Sequence, residues 1–252
     1  MQLLSERLTM INTKQSPYTI IKGCEFTKHV FHRYGLSPKN ITPLDKIAKK
    51  TFSNYNFFVD LLNSYEKIDE SFVNAFEHYD LPILTDYLKR SHDYYLRVRL
   101  PEIENIICKK INESPKNQPI LFVLHEFFLF YKSDLKEHFN EEETLVFPLA
   151  NHLHNLEQNP NDQKSIFWMS QHLERALSFI KSHKKEDSDL REINSAFLSY
   201  KNSIPETAAA HEVLLKEFHE FQKDMKIHER IEDFVFSKKV HQLLKNFNTR
   251  IN

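Results

Sequence analysis

The residues of this chain best suited to chemistry are a histidine and a carboxylate that interrupt the apolar face of a helix. They are His138 and Glu142, within the stretch DLKEHFNEEETLVF. Residues on that face recur every three or four positions, as on one side of an α-helix: Leu124, Phe128, Tyr131, Leu135, His138, Glu142, Leu145 and Leu149. A buried carboxylate needs a cation, a network of donors or a shifted pKa to offset the loss of water. A metal ion that also binds the adjacent histidine is the simplest such partner.

The same arrangement returns later in the chain, in the stretch EFQKDMKIHERIEDFVF. Here His228 and Glu232 take the polar positions of a stripe that comprises Leu214, Phe218, Phe221, Met225, His228, Glu232 and Val235. A single H-x-x-x-E pair is weak evidence, because helices carry such pairs by chance. Two pairs in the same register, both on apolar stripes, predict a shared site.

The composition indicates that helices must position these residues. The chain has 252 residues, enough for one large or two small domains, but only two glycines. Long segments with a 3.6-residue period and little strict alternation predict an all-α protein. We expect a small helical N-terminal domain over residues 1–70, with short helices near 19–34, 43–50 and 55–65, and a main domain over residues 80–250.

The main domain is predicted to contain four long helices, at about 81–111, 119–148, 163–184 and 205–247, with a short helix near 190–200. Short or moderate connections make an antiparallel four-helix bundle the natural packing. The first and third long helices each place one histidine on the inner stripe, His92 and His172. The predicted metal ligands are therefore His92, His138, Glu142, His172, His228 and Glu232.

Four imidazoles and two carboxylates are too many ligands for one zinc ion, which prefers four in a tetrahedron. They suit two ions bridged by carboxylates, and imidazole with carboxylate in a helix bundle favours iron. We therefore predict a non-haem di-iron centre. The alternative is that these histidines are core residues hydrogen-bonded to two buried glutamates.

The other histidines are predicted to be surface or capping residues, with His125 as the most plausible exception because it lies beside the stripe. Asp134 and Asp224 precede the two stripe histidines by one helical turn. Each would either orient the free ring nitrogen of its histidine or be a solvated helix charge. The sequence leaves both readings open.

Charge and composition exclude several classes of function. The net charge is −1, which offers no bulk attraction to nucleic acid or to an anionic membrane. No apolar run approaches the length of a membrane span, and the first residues, MQLLSERLT, carry charges where a secretory signal has its apolar core. We expect a cytoplasmic protein. Cys24 and Cys108 lack C-x-x-C spacing, so two reduced, inert thiols are favoured.

The motifs resemble those of the hemerythrin-like di-iron proteins for repair of iron centres, the RIC family. His92 with Arg97, Leu100 and Pro101 is similar to the family's H-x-x-x-x-R-x-x-L-P segment. HFNEEETLVFP is close to its H-x-x-x-E-E-x-x-L-F-P, and PETA followed by DMKIHERIE is similar to its last motif. His172 falls at the third histidine, although Gln171 stands where a glutamate commonly precedes it.

The amino-terminal segment VFHRYGL also resembles the family's small leading domain. The family carries an adjacent cysteine pair after this segment, whereas this chain has Ser-Pro-Lys-Asn at 37–40. The resemblance implies a hemerythrin-like bundle with two iron ions. It implies repair of iron–sulfur clusters after nitrosative or oxidative damage, by supply of iron to iron–sulfur proteins. The leading domain of this chain therefore lacks the family's pair of thiols.

Two other classes of function stay open at this stage. One is a hemerythrin-like protein that binds or senses O2 or NO reversibly at the same site, and the other is a metal-free helical interaction module. Metal analysis of the purified protein distinguishes the metal-free module from the two iron-binding classes. An iron-transfer assay distinguishes reversible binding of O2 or NO from repair. The oligomeric state is left open, with a homodimer as one option.

Overall fold

The computed structural model of the protein describes residues 11–52, 54–66, 72–113, 118–182 and 208–251. Every regular element in these ranges is helical, so the predicted all-α class is confirmed. The predicted helix near 190–200 and the predicted start of the last long helix at Pro205 lie outside the described residues. The chain divides into two compact units, Met1–Tyr79 and Asp80–Asn252.

The first unit consists of short helices. They are α1 (Pro17–Gly23), a 3-10 turn (Glu25–Thr27), α2 (Lys28–Arg33), α3 (Leu44–Thr51), α4 (Tyr55–Glu66) and α5 (Phe72–Phe76). The prediction of one helix over 19–34 is wrong, because Cys24 has an extended backbone that separates α1 from the next turn. The Thr27 hydroxyl donates to the Cys24 carbonyl at 2.7 Å and stabilises this break.

The second unit contains long helices, most of them interrupted by a π-helical turn. The elements are α6 (Leu81–Tyr94), a π turn (Tyr95–Arg99), α7 (Leu100–Glu113), α8 (Gln118–Glu141), a π turn (Glu142–Val146), α9 (Phe147–Gln158), α10 (Gln163–Ser182), α11 (Ala208–Ile231), a π turn (Glu232–Phe236) and α12 (Ser237–Ile251). Pro82 in the first turn of α6 favours the start there, because proline needs no hydrogen-bonded N–H at that position.

Contacts between side chains show which neighbouring helices run antiparallel. Between α7 and α8, Lys132 lies 2.6 Å from Glu104, while Cys108, one turn later, lies 3.6 Å from the earlier residue His125. Later residues of α7 therefore lie beside earlier residues of α8, so these two helices run antiparallel.

The α9 and α10 helices are related in the same way. His152 on α9 contacts Ser165 at 2.9 Å, near the start of α10. His138 lies earlier in the chain, on α8, and its ring is 5.8 Å from that of Phe179, which lies later on α10. Arg99 reaches from the first π turn to Glu217 on α11 at 2.9 Å.

Residues from both predicted stripes lie in one buried core of this unit, together with residues of α6, α7 and the first π turn. Its members are Tyr94, Tyr95, Leu100, Ile103, Ile107, Ile111, Leu121, Leu124, Phe128, Tyr131, Leu135, Phe139, Leu214, Phe218, Phe221 and Met225. Apolar burial of this kind supplies most of the stability of amphipathic helices. In the described ranges no helix is both long and apolar enough to cross a membrane.

Candidate metal centre

The two predicted carboxylates each open a π-helical turn. The Phe147 N–H donates to the Glu142 carbonyl, and the Ser237 N–H donates to the Glu232 carbonyl, so each bond spans five residues instead of four. A π turn inside a long α-helix is rare and is frequently found at a functional site. The third such turn begins at Tyr95, close after His92. In these three helices the backbone is therefore altered beside a predicted ligand.

Glu142 contacts two histidines from different helices. Its Oε2 lies 3.1 Å from Nε2 of His92 on α6, and its Oε1 lies 2.9 Å from Nε2 of His138, one turn earlier on α8. Glu142 and His92 are fully buried, and the side chain of His138 is 16% exposed. One carboxylate thus contacts two imidazoles, one on α6 and one on α8.

The second pair lies against the first. His228 Nε2 is 3.4 Å from Glu232 Oε2, and both side chains are buried. The ring centroids of His228 and His92 are 5.2 Å apart in an edge-to-face arrangement. The structure therefore brings together His92, His138, Glu142, His228 and Glu232.

His92 is bounded by carboxylates on more than one side. Its Nδ1 lies 3.0 Å from Oε1 of Glu143, and its Nε2 makes no hydrogen bond although Glu142 is close. Burial lowers the pKa of His92, but its contacts with Glu142 and Glu143 and the charge of Glu232 together outweigh burial and raise that pKa. Negative charge therefore dominates the surroundings of this ring.

Aromatic side chains cover the histidines. Phe139 stacks on His92 with ring centroids 3.8 Å apart and planes 8° apart, and Phe147 lies 5.4 Å from the same ring. Tyr95 packs its ring 5.7 Å from that of His228. An apolar shell of this kind limits water access and strengthens electrostatic interactions inside the site.

His172 is not joined to the other five predicted ligands. Its ring stacks on Trp168 with centroids 4.7 Å apart, and its Nδ1 lies 3.1 Å from the Trp168 carbonyl oxygen. In the part of the chain that the structure describes, no hydrogen bond, ion pair or ring contact links it to the pairs above. Along α10, His172 lies between Ser165, which contacts His152, and Phe179, whose ring is near that of His138. This position along the helix suits a ligand of the predicted centre.

Several of the remaining predictions can be compared with the structure. His29 is fully buried, so its prediction as a surface or capping residue is wrong. Asp224 is buried, whereas Asp134 is exposed, so the two repeats differ at this position. His125 is half-buried beside Cys108, outside the centre. Cys108, like Cys24, is a free thiol.

The donor atoms are of the type that a pair of metal ions takes. As the side chains stand, no three histidine, cysteine, aspartate or glutamate residues in the described ranges are grouped to hold an ion. The carboxylates contact the imidazoles directly instead. Bonds of about 2.1 Å put neighbouring ligand atoms of an octahedral ion about 3.0 Å apart, close to the contacts that Glu142 makes. The buried Nε2 of His92, which makes no hydrogen bond, is also the kind of atom that a metal would satisfy.

Sequence reasoning missed two features of this site. It did not identify Glu143, because this residue stands in a run of three glutamates, Glu141 to Glu143, and the sequence does not distinguish it from its neighbours. It also missed the π turns, although the three consecutive apolar residues Leu145 to Phe147, all buried, do not fit one face of a regular α-helix.

Comparison of the chain with known protein families, with curated proteins and with solved structures found no match.

Proposed function

We propose that this protein is a non-haem di-iron protein. The observation that carries the proposal is the buried Glu142 carboxylate between His92 and His138, with the buried pair His228 and Glu232 against it. The proposed ligands are the six predicted residues, with His172 turning from Trp168 toward the centre. We further propose that the second unit is an antiparallel four-helix bundle, hemerythrin-like in plan, and that the first unit is a small leading domain.

Residue chemistry supports iron in this setting. Two carboxylates and four imidazoles would hold the ions, and this ligand set suits iron more than calcium or magnesium, which prefer oxygen ligands. When bound, the ions would supply redox chemistry and an open position for a small ligand. The protein's own part is to position the imidazoles and to exclude bulk water with Phe139, Phe147 and Tyr95.

We propose that the physiological role is repair of damaged iron–sulfur clusters, with iron as the cargo delivered to an acceptor protein. The support is the motif resemblance together with the uneven burial of the site. His92 and Glu142 are fully buried, but His138 and the predicted ligand His172 are partly exposed. The side of the centre next to α10 is therefore the side from which an ion could leave. Reduction of a bound ion to the ferrous state by an outside donor would lower the positive charge that the carboxylates attract and would favour release.

A second candidate is reversible binding of O2 or NO by the same centre. The observation that favours it is the aromatic cover over His92, because a water-excluding apolar pocket protects a bound gas and retains the metal. This candidate predicts that iron stays bound through cycles of gas exposure and reduction. The repair proposal predicts that reduction releases iron to an acceptor.

The deciding experiment measures iron per chain and then iron transfer. We expect about two ions per chain, from the count of bridging carboxylates, and an optical spectrum that changes on reduction. The reduced protein, without a strong chelator, is then mixed with an apo iron–sulfur protein. Transfer should persist in the variant with Cys24→Ser and Cys108→Ser, because neither thiol lies in the proposed centre.

Protein that binds no iron refutes the whole proposal. Iron that binds but is never transferred under any reductant refutes delivery and leaves reversible gas binding as the favoured function. Transfer that requires Cys24 or Cys108 shows that the released ion passes through a thiol, contrary to the proposed route.

A further inference from the structure

Glu143 is the carboxylate that links the buried centre to the surface. Its Oε1 lies 3.0 Å from Nδ1 of His92, yet its own side chain is 40% exposed. His92 itself is fully buried. The other ring nitrogen, Nε2, makes no hydrogen bond, although Glu142 lies 3.1 Å away. Glu143 therefore controls the outer nitrogen of a ring that solvent does not reach.

The two nitrogens of His92 have different hydrogen-bond contacts. A neutral imidazole carries a proton on one nitrogen and a lone pair on the other, and the hydrogen bond of one nitrogen decides which. Nδ1 has the hydrogen bond to Glu143, whereas Nε2 makes none. The neutral ring should therefore carry its proton on Nδ1 and direct its lone pair from Nε2 into the centre.

The local structure holds the ring in this orientation. Phe139 stacks in parallel on one face of His92 and fixes the ring plane. Glu142 and Glu143 are consecutive helix residues, so their side chains leave the helix axis in different directions and reach the ring from different sides. Glu142 approaches Nε2 and Glu143 approaches Nδ1. The π turn that Glu142 opens is the backbone feature that carries both carboxylates.

We propose that Glu143 is a positioning residue for iron binding, which fixes neutral His92 as the Nδ1–H tautomer and keeps Nε2 available for the metal. The role of Glu143 in iron binding rests on the proposed di-iron function, but the tautomer of His92 can be measured without iron. Carboxylate partners of ligating histidines act in this way in metal sites generally, and their loss typically weakens metal binding about 10- to 100-fold.

The test uses the full-length protein and two substitutions at position 143. The amide oxygen of Glu143→Gln can still accept from Nδ1, whereas Glu143→Ala removes the acceptor. Nitrogen NMR of the metal-free protein, at a pH where His92 is neutral, reports which nitrogen carries the proton. Ferrous iron affinity is measured in parallel by competition. Glu137→Ala is the matched control, because it removes an exposed carboxylate from the same helix.

We expect the Nδ1–H tautomer in the native protein, in Glu143→Gln and in Glu137→Ala. In Glu143→Ala the proton should shift toward Nε2, where the Glu142 oxygen at 3.1 Å can accept it. Iron affinity should fall about 10-fold or more in Glu143→Ala alone. An unchanged tautomer and affinity in Glu143→Ala overturn the proposal, and so does an equal loss in Glu137→Ala. A native protein with the expected tautomer that binds no iron overturns the di-iron function and supports only the contact between His92 and Glu143.

Discussion

His172 must leave its stack on Trp168 before it can bind iron, and the cost of that step can be worked out from the structure. The two rings are nearly parallel, 13° apart, with centroids at 4.7 Å. Aromatic pairs of this kind contribute about 0.5–1.5 kcal/mol beyond their buried area. Because 1.4 kcal/mol is a factor of ten, removing the stack should tighten iron binding roughly 2- to 10-fold.

The variant that tests this cost is Trp168→Leu. It removes the stack but keeps the backbone carbonyl to which Nδ1 of His172 is close. His172→Ala should show the opposite effect, with weaker binding, because it removes the ligand. Phe167→Leu is the matched control, since Phe167 is an exposed aromatic residue next in sequence. The assay is anaerobic titration of ferrous iron into metal-free protein against a competing chelator.

Trp168 also provides a direct readout, because it is the single tryptophan of the chain. Its fluorescence should change when iron draws His172 away, and the change should be smaller in His172→Ala. The reasoning is refuted if His172→Ala binds iron as tightly as the native protein and Trp168→Leu gives no gain. The centre would then consist of the five residues that the structure already brings together.

Three further predictions follow from the same contacts. Glu142→Ala with Glu232→Ala should reduce iron from about two ions per chain to well below one, measured by metal analysis, with the larger single effect at Glu142 because it contacts two imidazoles. Removal of iron should lower the melting temperature by roughly 5–10 °C, since free ligand at a hundred times its Kd contributes about 2.7 kcal/mol to the folded state. An identical melting curve for iron-free protein would contradict this. Arg99→Ala should lower the free energy of unfolding by about 1–3 kcal/mol in denaturant titrations, because it removes the buried guanidinium that binds Glu102 and Glu217.

The sequence predicted the helical class and much of the candidate site, because burial of an apolar stripe is a local, periodic property. His138 with Glu142, and His228 with Glu232, were found as polar exceptions to such stripes, and the structure buries both glutamates. His92 was found in the same way. The long-range contact between His92 and Glu142 depended on the packing of separate helices, which periodicity alone does not specify.

The features that were missed depend on detail finer than periodicity. The ring of His172 lies on the expected helix, but its orientation is set by Trp168, one turn away, through stacking and a backbone carbonyl. The break at Cys24 comes from local hydrogen bonding and not from a proline or from the adjacent glycine adopting a left-handed backbone. Glu143 was missed because an exposed glutamate on a helix is usually only a solvated charge.

Each π turn holds one residue more than the α-helical turn that it replaces. A single residue inserted into a regular α-helix would rotate every later residue by about 100°. A π turn absorbs the extra residue within one turn, so the buried residues of α9, beginning with Phe147, keep nearly the direction that they would have in an uninterrupted α-helix one residue shorter. This helix can therefore gain or lose one residue between 143 and 146 while the core packing beyond it stays in place, and the change falls on the turn beside Glu142.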